Sequence, residues 1–271
     1  MKKVRVVICI VLYSLSTLTL LLHKNANATV PLLLASDGTA HDSTHKAIKW
    51  LIDNAPAGAK YGTKTNQELI DLVHQPIVDP NTFLVAAKSA EELQAKRDAQ
   101  PSIPAIFFTS RMHWCRTWLA HRVLTQTATG QKVIDEEKAS APPEYAAFYQ
   151  QKDAGNSPLV KIYTKDAPDE LTKPFFAASQ ANWDAIGALI YTELPKHLPE
   201  SGFVGGDAPG ETDWHVAAWI GRIALVLGAK PTPGEWKSLA QLKDGEPVPK
   251  KVQNYWDAWA NRDSWKSVGV H

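Results

Sequence analysis

The stretch Gly202 to Gly228, GFVGGDAPGETDWHVAAWIGRIALVLG, constrains the fold more than any other part of the chain. Two glycines and a proline lead the backbone to a helix start, and Asp213 stands three residues after Gly210. At the third helical position a carboxylate can reach back to the amide of the cap residue, and it faces the positive end of the helix dipole. From Asp213 to Leu227 the expected helix is apolar around most of its circumference, and Gly228 stands where a C-terminal cap belongs. A helix apolar on nearly every side belongs in the middle of a bundle.

The sequence supplies the surrounding helices. NQELIDLV and SAEELQAKRD are helical by propensity and spacing. Phe176, Trp183, Ile186, Ile190 and Leu194 form a seam at intervals of seven, three, four and four, which predicts a long helix starting near Thr172. The tail VQNYWDAWANRDSW reads as an aromatic amphipathic helix whose Tyr255, Trp256 and Trp259 pack on the bundle, a membrane-surface or partner-binding role being the alternative. Ten tryptophans in 271 residues fit the same picture, since each can anchor a helix by burying a large area.

A short β-containing head precedes this body. Thr29 to Leu34 is a partly β-branched apolar run that reads as a strand, and Asp37-Gly38-Thr39 reads as a turn. Ala47, Ile48 and Leu51 then recur at helical spacing between Thr44 and Asn54. NAPAGAKYG ends that helix with breakers, so residues 54–63 are the expected interdomain linker. The expected class is α+β, mostly α: residues 27–60 as the head and 61–271 as an all-helical domain.

Bulk properties remove several functions. The formal net charge is +1 with acids and bases interspersed, so nothing in the charge calls for nucleic acid. Cys9 and Cys115 form no disulfide framework. His113, Cys115 and His121 are spaced by two and six, a poor match to one helical face, and no fourth ligand is evident, so no metal is expected. Residues 1–26 begin with three positive charges, continue through an apolar run of about 17 residues, and lead into Ala26-Asn27-Ala28. That pattern fits a signal peptide or anchor, with upstream sequence read as protein as the alternative.

LVHQPIVDPNTFLVAAKSAEELQAK, FYQQKDAGNSPLVKIY and LPESGFVGGDAPGETDWH together resemble a fungal branch of glutathione-transferase-like proteins. The segment NATVPLL, Asn27 to Leu33, and DGTAHDSTHKAIKWL, Asp37 to Leu51, extend that resemblance into the head. It implies a partial thioredoxin-like domain followed by a helical transferase domain. Val30 would then pair its backbone with the cysteinyl part of glutathione, as an added strand does, beside Pro31 in the cis form. Ser43 stands at the family's acidic position, and Thr44 stands at its serine position. Thr44 would hold the γ-glutamyl carboxylate at a helix N-terminus; simple N-capping of the helix by Thr44 is the alternative. Asp213 would be the structural capping acid of the buried helix.

The resemblance further implies glutathione as a substrate without a metal, conjugation to an electrophilic small molecule, a homodimer, and a cytoplasmic location unless residues 1–28 act as a signal. Conjugation needs a thiolate, and a free thiol with a pKa near ~8.5 is mostly protonated at neutral pH. The family supplies a Tyr, Ser or Cys for this purpose near the end of the first strand. Cys9, Tyr13 and Ser14 are of suitable type but lie in an apolar run, so no catalytic residue is assigned. Residues 112–130 stand as an insertion between segments that adjoin in the family. A helical interaction module without catalysis is the second reading.

Overall fold

The computed structural model describes residues 7–8, 33–35, 37–99, 143, 146–163 and 167–268, which are mostly helical with a small antiparallel sheet. The chain divides into two compact units, residues 1–55 with 90–172 and residues 56–89 with 173–271. The first boundary falls inside the expected linker. Residues 90–172, expected within one helical domain over 61–271, group with the head.

In the first unit, β1 (Val7–Ile8), β2 (Leu33–Leu34) and β3 (Ala40–His41) form a sheet in that order, antiparallel throughout. Val7 lies opposite Leu34 and Ile8 opposite Leu33, so two residues of the apolar leader are paired in the sheet. The leader's composition did not indicate this. β2 and β3 form a hairpin whose expected turn is present. Gly38 takes φ +86°, its N–H donates to the Ala35 carbonyl at 2.9 Å, and the Asp37 carboxylate accepts the Thr39 N–H at 2.9 Å. α1 (Thr44–Asp53) follows directly and buries Ala47, while Leu33 and Ala35 are buried at the hairpin. Farther along, α4 (Ala90–Ala99) buries Leu93, and Arg97 donates to the Ile162 carbonyl at the end of α5 (Ala146–Ile162).

The second unit is built around a buried helix, as its sequence demands. It contains α2 (Gln67–Val73), a 3₁₀ turn at Pro76–Val78, and α3 (Pro80–Val85). Next come α6 (Asp169–Ala188, from Lys173 onward), a π turn at Leu189–Glu193, and α7 (Leu194–His197). α8 (Glu211–Val226) is the central helix; a 3₁₀ segment Glu235–Lys243, α9 (Lys250–Ala260) and α10 (Asp263–Val268) complete the unit. Val216, Ala217, Trp219, Ile220, Ile223 and Ala224 of α8 are all buried, in one core with Leu69, Phe83, Ile190, Leu239 and Trp256.

α8 begins at Glu211, directly after the cap residue Gly210 and with Asp213 at its third position as expected, and it closes as expected. Gly228 takes φ +86°, its N–H reaches the Leu225 carbonyl at 3.0 Å, and the Ala229 N–H reaches Ala224 at 2.9 Å. These two bonds are a Schellman cap. α6 starts at Asp169, three residues before the expected Thr172, and two acids in its first turn favour the early start. Its seam continues through the π turn. Pro195 has no N–H to return to Tyr191, and the Leu194 N–H reaches back five residues to Leu189.

The aromatic tail packs on the body. Tyr255, Trp256 and Trp259 are buried, Trp256 donates to the Thr232 carbonyl at 2.9 Å, and the Trp265 ring of α10 lies against Gly221 of α8. Among the described residues no helix is long and apolar enough to cross a membrane.

Candidate functional site

Of the expected ligand-binding residues, the structure describes Ser43 and Thr44, at the start of α1. The β2–β3 hairpin carries the chain into Asp42-Ser43-Thr44 with no intervening loop, so the first turn of α1 follows the sheet edge directly. Ser43, rather than Thr44, is the N-cap. Its backbone is extended at φ −144° and ψ 159°, and its hydroxyl oxygen accepts the Lys46 N–H at 3.2 Å. The capping role allowed for Thr44 therefore belongs to its neighbour. Both residue types cap well, and sequence alone leaves a one-residue ambiguity. Thr44 occupies the first helical position, half-buried, at the positive end of the dipole.

Asp42 adds an acid beside this turn. Its carboxylate accepts the Lys46 ammonium at 2.7 Å in an exposed i, i+4 pair, and this hydrogen bond holds its pKa below the ordinary carboxylate value. Asp37 is also held below that value by the Thr39 amide. Ser43 carries no charge, whereas Asp42, the residue before it, already holds an ammonium. One further group escaped sequence reasoning: His41 packs its ring 5.8 Å from that of Trp50, with Nε2 buried and unpartnered. A histidine facing its helix across one turn of backbone leaves no periodic signal.

Val30 and Pro31 lie outside the described residues. So do Cys9, Tyr13, Ser14, His113, Cys115, His121 and the insertion at 112–130. Among the described residues no group of three His, Cys, Asp or Glu is placed to hold a metal ion.

Asp213 fills the role of capping acid, with more partners than the sequence foretold. It is fully buried and accepts three backbone N–H groups, from Val204, Gly205 and Gly210, each at 2.8 Å. The loop 203–210 curls over the carboxylate, so one side chain caps α8 and fixes the turn before it. The curl depends on glycine. A Cβ on Gly205 would stand 2.5 Å from the Gly210 nitrogen, and one on Gly62 would stand 2.3 Å from the Ala208 carbonyl. Gly62 also donates to the Pro209 carbonyl at 3.0 Å, so the far end of the expected linker is built into this junction. Asp213 has no side-chain oxygen to spare for a ligand, and its place is structural.

A second set of contacts pins the segment 74–81. Trp219 donates to the Val78 carbonyl at 2.8 Å, Asn182 to Ile77 at 2.6 Å, and Arg222 to the Asn81 side chain at 2.7 Å. His74 Nε2 and His215 Nδ1 lie 2.8 Å apart, so one ring donates and the other accepts. Burial lowers the Arg222 pKa and the Asp79 charge opposes that shift. These contacts tie α2 and α3 to the central helix and leave α8 polar only where it grips a neighbour.

No family model, curated protein or solved structure matches the chain.

Proposed function

We propose that this chain is a glutathione-transferase-like protein whose head binds glutathione at the start of α1. The observation that carries the reading is the hairpin running straight into a helix that holds Thr44 at its first position. Thr44 offers a hydroxyl and an amide at the positive helix end, the chemistry a γ-glutamyl carboxylate requires. Ser43 holds the turn in shape by capping it, and Asp42 takes the ligand's ammonium in exchange for Lys46. The pair is solvent-exposed and screened, so the exchange costs little. The family resemblance adds Val30, whose backbone would pair with the cysteinyl part of glutathione, beside Pro31 in the cis form. The same family reading implies homodimer formation and conjugation to an electrophile without a metal, but no residue of this chain is assigned to activate the thiol.

Retention of the full chain on immobilised glutathione tests the proposal. The expected result is retention, elution by free glutathione, and loss of retention in Thr44→Ala. Passage of the folded wild-type chain through the matrix contradicts it. That outcome favours a non-catalytic helical interaction module, a reading supported by the second unit, whose core closes around α8 with its own residues.

A further inference from the structure

We draw no further inference here: the strongest candidate, the side-chain cluster at the α9–α10 junction where the indole N–H groups of Trp259 and Trp265 and the Nε–H of Arg262 are buried without acceptors, carries nothing because no opening or shared point of approach for a ligand is shown and the rings of Phe203, Trp256, Trp259 and Trp265, packed at 5.3–5.8 Å, account for the cluster as aromatic packing.

Discussion

The helix starts of α1 and α8 solve one problem in opposite ways. An α-helix leaves its first N–H groups without intrahelical partners, and something must accept them. α1 uses a serine one residue before the helix, with one bond, in a half-exposed turn. α8 has a glycine at that place and sends a fully buried aspartate back over three amides, two of them in the preceding loop. The first device is local and leaves Thr44 accessible. The second engages both carboxylate oxygens internally and ties a loop to a core. A ligand can be offered the first start, whereas the second is closed to it.

The largest test of this contrast is Asp213→Ala. It strands three backbone donors in a buried junction and should cost about 3–5 kcal/mol, measured as a lower urea midpoint. A cost under about 1 kcal/mol would show that the carboxylate is not the centre of the turn. Next is Gly62→Ala, whose Cβ meets backbone atoms that cannot swing aside. The expected loss is about 2–3 kcal/mol, and wild-type stability would mean that Gly62 packs loosely against Gly205 and Ala208.

Ser43→Ala removes a single cap bond and should destabilise the first unit by about 1 kcal/mol, read by thermal denaturation. If it equals Asp213→Ala in effect, the distinction between a local cap and a tertiary one fails. Asp42 gives the smallest effect. Its lowered pKa means that its contribution is present above the ordinary carboxylate value and is lost as pH falls through the lowered one. Carboxyl-detected NMR titration should place the Asp42 midpoint below the ordinary value, and Lys46→Gln should bring it back up. An unshifted midpoint in the wild type removes the ion pair from the account.

Much of the second unit was legible because α8 cannot be misread. Apolar residues around most of the circumference call for a central position, and Gly228 marks the end. The seam of α6 carried more information than its helical period. Ile186, Ile190 and Leu194 repeat every four residues, a spacing that drifts around an α-helix and stays aligned where a π turn widens it. The partners of Asp213 were not legible, since Val204 and Gly205 arrive through a loop whose curl depends on contacts with Gly62, far away in sequence. In the head, a Ser-Thr pair announced a cap without saying which residue makes it. The pairing of Val7–Ile8 with β2 joins residues about 25 positions apart, beyond the reach of any local pattern.

The most direct measurement is a glutathione titration of the isotope-labelled full chain followed by its backbone amide resonances. The account predicts saturable shifts concentrated at residues 42–46, with those at 210–216 unmoved. Unchanged resonances at 42–46 at saturating glutathione, or shifts confined to the α8 start, would contradict it.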